Sequence, residues 1–278
     1  MKNIFYAFIL INFLFSCRSN NRQTVKDTLT TEPTAGQTNE LIKKFKPIVQ
    51  GNWVKKNYID KVVEKKSVLA AADEVNDITA MNIDIDSIKK DSLAVVLGWA
   101  NHDSSEGILK FQQGKNPSSL KFNGGNLEYS INKGDTLLTF SRFDEQKKKT
   151  ISTTFIRAMI KSPKNDLGYG LSHLINKGLI AGNYIMTDTT GSSSKVAFTN
   201  DGKVDGFLNH STYEINFDLN SDPMDNLDEI RFDRDKNTYS SFSYKITADT
   251  LSLYETYPNA DSSELILGKR IYKLVKQR

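Results

Sequence analysis

The chain has 278 residues, 38% of them hydrophobic and 10% aromatic, enough apolar material for two ordinary domains or one large one, which excludes a disordered polymer. Its 37 basic and 33 acidic residues leave a formal charge of only +4 and are spread along the sequence, so no concentrated field exists to draw nucleic acid. The one cysteine, Cys17, excludes a disulfide framework and a zinc–thiolate cluster.

From the N-terminus, Lys2 precedes an apolar run from Ile4 to Phe15 and then Ser16-Cys17. That run has the length of a signal-peptide core and falls short of the roughly 20 residues of a spanning helix. Leu14, Ser16 and Cys17 resemble the bacterial lipoprotein processing box, with Phe15 an unusual occupant. The resemblance implies that residues 1–16 are a signal peptide, that Cys17 is lipidated, and that acyl chains anchor the protein to the outer membrane of a bacterial envelope, on its periplasmic or its surface side. Residues 17–40, rich in Thr, Asn and Gln, predict a flexible tether.

Two regions then repeat one plan. In the first, 41–161, an apolar stretch "ELIKKFKPIV" leads into "GNWVKKNYIDKVV", read as a first strand; "EKKSVLAAADEVND", Glu64 to Asp77, predicts a helix; "YSINKGDTLLTF" and "TISTTFIRAMIK" predict later strands. A Pro- and Gly-bearing linker, 162–170, follows. In the second, 171–278, "LSHLINKGLI" leads into "GNYIMTDT", followed by "SKVAFTN", "KVDGFL", "STYEINFD", "DEIRFDR", "TYSSFSYKIT", "DTLSLYETY" and "ELILGKRIYKLVK". Turn signals such as "TNDGK", "DRDKN" and "YPNADS" separate these eight strand-like segments. In "HSTYEINFD" the apolar Tyr213, Ile215 and Phe217 alternate with His210, Thr212, Glu214, Asn216 and Asp218, and Ile230 and Phe232 alternate with Arg231 and Asp233, so one face is buried and the other wet. Short antiparallel strands with one apolar face remove their edges by closing. The predicted class is all-β: two tandem up-and-down antiparallel β-barrels of about eight strands each, with short helical segments. The match of "YSINKGDTLLTF" to "YKITADTLSLY" suggests duplication.

The Gly-x-aromatic starts, Gly51-Asn52-Trp53 and Gly182-Asn183-Tyr184, with alternating strands and basic-aromatic ends such as "RIYKLVK", resemble the lipocalin and lipocalin-like superfamily, the second copy resembling lipocalin-like domains of envelope lipoproteins of Bacteroidetes-type bacteria. Tyr184 stands where the family has Trp, and the family's arginine near that aromatic has two candidates, Arg157 and Arg270. Gly51, Trp53, Gly182 and Tyr184 are read as structural: a residue without Cβ admits the incoming segment and the ring plugs the barrel end.

Chemistry-bearing patterns are few. Asp218, Asn220, Asp222 and Glu229 fall at positions 1, 3, 5 and 12 of a calcium loop, but Pro223 takes the place of the turn glycine, so a solvated acidic loop is the reading. His102, His173 and His210 are far apart, Ser172 lies in no nucleophile elbow, and no phosphate-cradling loop is present. No metal, cofactor or enzymatic activity is expected. What remains is the barrel interior, with Val196, Phe198, Tyr213, Ile215, Phe217, Ile230, Phe232, Tyr244, Leu251 and Leu253 facing inward in the second copy. These suit a small hydrophobic or amphipathic ligand or a solid core. The expected function is a non-enzymatic, lipid-anchored ligand carrier. Its alternative is a filled-barrel scaffold that binds another envelope protein or a glycan, and a cleft with a histidine beside a carboxylate would instead mark a hydrolase.

Overall fold

The structure is a computed structural model that describes residues 34–162, 166–219 and 224–277. The signal and lipidation expectations, Cys17 included, lie outside these residues. Among the described residues no helix is long and apolar enough to cross a membrane.

The first half is a closed, eight-stranded antiparallel barrel in which each strand pairs with its neighbour in sequence. Its strands are β1 (Gly51–Lys55), β2 (Ile78–Ile83), β3 (Ser92–Trp99), β4 (Asp103–Gln113), β5 (Ser119–Phe122), β6 (Gly125–Asn132), β7 (Asp135–Asp144) and β8 (Lys149–Met159). The barrel closes where β8 returns to β1, with Trp53 opposite Arg157. The second half is an eight-stranded antiparallel sheet: β9 (Gly182–Thr187), β10 (Ser193–Phe198), β11 (Val204–Asp205), β12 (Tyr213–Ile215), β13 (Glu229–Phe232), β14 (Ser240–Thr247), β15 (Thr250–Pro258) and β16 (Leu265–Lys276). Its order is β11-β10-β9-β16-β15-β14-β13-β12, and the two edge strands meet at an isolated bridge, Lys203 to Thr212. In both halves the last strand lies on the first, β8 on β1 and β16 on β9, and the matched segments form corresponding hairpins, β6–β7 and β14–β15.

Each Gly-x-aromatic closes a helix end. Helix α1 (Ala35–Val49) starts at a capping box in which Gln37 N donates to Thr34 Oγ1 and Thr34 N donates to Gln37 Oε1. The helix thus begins inside the segment expected as a tether. At its other end Trp53 Nε1 donates to Val49 O (2.7 Å), and the Arg157 guanidinium, 4.6 Å over the Trp53 ring, donates to Ile48 O. Helix α3 (Gly168–Leu179) ends the same way, with Tyr184 Oη donating to Ile180 O (2.6 Å) beneath the Lys276 ammonium. These donors satisfy helix-terminal carbonyls that have no partner within the helix. The cation over Tyr184 is therefore Lys276 and not Arg270, whose backbone lies opposite Tyr254 in the β15–β16 register. Gly51 (φ 129°) leaves no room for a Cβ, which would lie 2.4 Å from Met159 O. Trp53→Phe and Tyr184→Phe, which orphan one buried carbonyl each, are expected to cost about 1–3 kcal/mol in chemical denaturation.

Two expectations fail along the chain. The strand read through Val63 stops at Lys55, and α2 (Lys56–Lys65) follows, burying Tyr58, Ile59 and Val62 at helical spacing. The helix expected over Glu64–Asp77 is only a 3₁₀ turn, Leu69–Glu74. The two cores also do not divide at the linker. The barrel encloses Trp53, Met81, Phe111, Phe122, Phe140 and Phe155. The second core joins the second sheet to Val54, Tyr58, Ile59, Val62, Val68 and Ala71 of the first half.

Candidate functional site

Nine of the ten inward candidates are buried together in the second sheet, Val196, Phe198, Tyr213, Ile215, Ile230, Phe232, Tyr244, Leu251 and Leu253, and Phe217 is half-buried beside them. They pack on one another. Phe198 meets Tyr184 and Tyr213 edge to face at 5.6 and 5.0 Å. Phe207, which the sequence reading put in a strand, enters from the β11–β12 connection and stacks on Phe232 at 4.5 Å. Such spacings are those of rings in direct contact. Two phenols are engaged as well: Tyr213 Oη donates to Thr199 O (2.7 Å), and Tyr184 Oη donates to the helix end, whereas the buried Tyr244 Oη has no hydrogen-bond partner among the described residues. Burial pushes the Tyr184 phenol up to about 12 and Tyr213 higher still, so both remain neutral donors.

At one end of this sheet lies a polar cluster. Asp233 and His210 were assigned by alternation to the wet face, yet their side chains are only 1% and 7% exposed. The reason is that β13 ends at Phe232 and β12 begins only at Tyr213, so strand periodicity no longer governs either residue; Asp233 has left-handed backbone (φ 47°). His210 Nδ1 lies 3.2 Å from Asp233 Oδ2, and its Nε2 lies 3.0 Å from Ser240 Oγ. Burial alone would raise the Asp233 carboxyl. Hydrogen bonds from Lys236, Thr238, Ser211 and Thr212 outweigh it and hold the group far below the usual carboxylate range.

An open cleft of about 1260 Å³ lies between the two halves. Residues around the β3–β4 turn, Gly98 to Ser104, form one wall, and Tyr213 to Asp218 with Arg231 to Lys236 form the other. That turn carries Ala100 and Asn101 at positive φ and is fastened across the cleft by Asn101 Nδ2, which donates to Phe217 O (3.1 Å). His102 donates from Nδ1 to Ala100 O and stands within 3.4 Å of Asp103 and 3.8 Å of Asp218. Opposite, Glu214 pairs with Arg234 (3.1 Å) and Arg231 (3.9 Å). Eight carboxylates line the cleft against three Arg and Lys side chains, a local balance opposite in sign to the whole chain's.

Other expected site residues stay apart. His173 Nε2 accepts from Asn200 Nδ2 (3.2 Å), and burial holds its pKa below the ordinary value, which suits a neutral ring. Of the calcium-loop positions, Asn220 and Asp222 lie outside the described residues, and Glu229 pairs with Arg231 (2.7 Å). Among the described residues no group of three or more His, Cys, Asp or Glu side chains is placed to hold a metal ion. The sequence reading missed Phe207, Ser240 and the cleft walls; the one local signal was Phe207, an apolar residue after Gly206 and before Asn209, at a turn instead of within an alternating run. Neither protein-family models nor curated proteins match this chain.

Proposed function

We propose that this chain is a lipid-anchored envelope protein made of two filled lipocalin-like barrels, and that it binds a neutral or amine-bearing glycan in the cleft between them. The cleft carries the reading: its walls are dense in directional donors and acceptors, with Asn101, His102 and Asp103 facing Glu214, Arg231 and Arg234. Sugars are held by such side chains through direct and water-mediated hydrogen bonds, and the half-buried Phe217 offers a ring for a sugar face. The excess of carboxylates repels acidic polysaccharides. The expected result is calorimetric binding of neutral or amino-sugar oligosaccharides, weakened at least tenfold by Arg234→Ala and by Asp103→Asn on opposite walls. Binding unaffected by both substitutions, or none at millimolar oligosaccharide, would sink the proposal. For the anchor, Cys17→Ala is expected to move the protein from the membrane to the soluble fraction.

A second reading places a small amphipathic ligand at the end of the second barrel. It draws on the Phe242 and Tyr272 rings, which stand edge to face at 5.7 Å and are only partly covered. A fatty-acid probe that gains fluorescence on the protein, and loses it on Tyr272→Ala, would favour it.

A further inference from the structure

We propose that Ser240 is a nucleophile, with His210 as its general base and Asp233 as a positioning residue, for acyl transfer from small carboxylic esters. Three neighbouring elements deliver the groups to one end of the second sheet. His210 comes from the β11–β12 connection, Asp233 follows β13, and Ser240 opens β14. The relay has one direction. Asp233 accepts only, so the ring proton sits on His210 Nδ1 (3.2 Å), and the Nε2 lone pair faces the Ser240 hydroxyl (3.0 Å).

The ring is held for that role. It lies against the stacked pair of Phe207 (5.8 Å, 26°) and Phe232 (5.1 Å, 29°), themselves 4.5 Å apart, and this contact restrains its plane. Asp233 Oδ1 also accepts from Ser211 N and Thr212 N, and Oδ2 from Thr238 Oγ1, so the carboxylate cannot turn away. Neighbouring groups that hydrogen-bond nucleophile to base and base to carboxylate meet the geometric requirement for an activated serine.

Ser240 itself is only partly buried. It pairs with Phe232 across β13–β14, which puts its side chain on the apolar face, close to the partly covered Phe242 and Tyr272. An ester with a short acyl or aryl group against those rings matches this end; a charged substrate does not. In the reaction, Ser240 Oγ attacks the carbonyl carbon as its proton passes to His210 Nε2. The ester C–O bond then breaks, and the alcohol leaves with that proton. Water, deprotonated by His210 Nε2, attacks the acyl-serine and returns Ser240 and a carboxylic acid. General-base assistance is typically worth about 10²–10⁴-fold, so turnover is expected to be slow and covalent capture is the cleaner readout.

The test treats the full chain with an alkyl fluorophosphonate, locates the adduct by mass spectrometry, and follows p-nitrophenyl butyrate hydrolysis. One adduct on Ser240 is expected, absent in Ser240→Ala and formed at least tenfold more slowly in His210→Gln, with both variants melting as the parent does. If His210→Gln unfolds, labelling of folded parent against Ser240→Ala still decides. A folded parent unlabelled at Ser240 under excess reagent, or ester hydrolysis undiminished in Ser240→Ala, overturns the proposal. Glycan binding in the cleft is measured separately on Ser240→Ala, so the two readings fail independently.

Discussion

Asp233→Ala is expected to lower the thermal midpoint by about 10 °C, more than any other single truncation among the surface-connected polar groups. The side chain is 1% exposed and binds two connections at once. Oδ1 accepts from Ser211 N (3.2 Å), Thr212 N (3.1 Å) and Lys236 Nζ (2.9 Å), and Oδ2 from His210 and from Thr238 Oγ1 (2.9 Å). The hydroxyls can turn to water when the carboxylate goes, but the two backbone N–H groups and the buried imidazole cannot. Each stranded donor costs about 1–3 kcal/mol, and breaking a buried charged network costs about 3–5 kcal/mol in all. One kcal/mol moves the midpoint by roughly 2–4 °C in a body of this size. The same residue sets an acid limb. Its folded pKa lies below its unfolded value, so its contribution is complete above the unfolded carboxyl pKa, near 4, and is lost as pH falls from there toward the folded pKa. Melts from pH 7 to pH 3 should therefore show a flatter acid limb in Asp233→Ala. A midpoint within about 3 °C of the parent at pH 7, with the same acid slope, would remove Asp233 from this role.

How legible these features were depends on the range of the interactions behind them. All eight segments read as strands in the C-terminal half contain a strand, because a half-wet strand declares itself every second residue and its turns carry Gly, Asn and Asp. Helix α2 was misread because its buried Tyr58, Ile59 and Val62 span barely more than one turn, it follows directly on β1, and no side chain caps its start. The site was hardly legible. Asp233 and His210 lie just past strand ends, where alternation stops applying, and their partner Ser240 belongs to another strand. Cleft walls at 98–104 and 212–236 are more than a hundred residues apart, so nothing local marks them as neighbours.

The second half expressed alone, residues 166–278, is expected to lack a cooperative native state, although its sequence reads as a complete copy. Its core is incomplete. Tyr58, Val62, Val68 and Ala71 of the first half are 0% exposed and Ile59 is 6% exposed, all within the core of the second sheet. At about 1.5–3 kcal/mol for each large side chain, their burial is worth on the order of 10 kcal/mol, as much as the whole net stability of a typical domain. Polar contacts lock the same joint: Asp228 Oδ1 accepts from Val68 N (2.9 Å) and Leu69 N (3.0 Å), and Lys66 Nζ donates to Ala248 O (2.8 Å). The barrel's own core, by contrast, is drawn entirely from residues between Phe45 and Phe155. Residues 34–162 are thus expected to melt cooperatively alone, with the buried face of α2 exposed, while 166–278 binds a hydrophobic dye and shows little near-UV dichroism until the first piece is added. Cooperative melting of 166–278 alone, within a few degrees of the full chain, would mean that the helix and 3₁₀ turn of the first half only cover a core that is already sufficient. Loss in both pieces would make the joint the nucleus of the whole body. The intermediate outcome, a stable barrel and a dependent sheet, follows from where the two cores are divided.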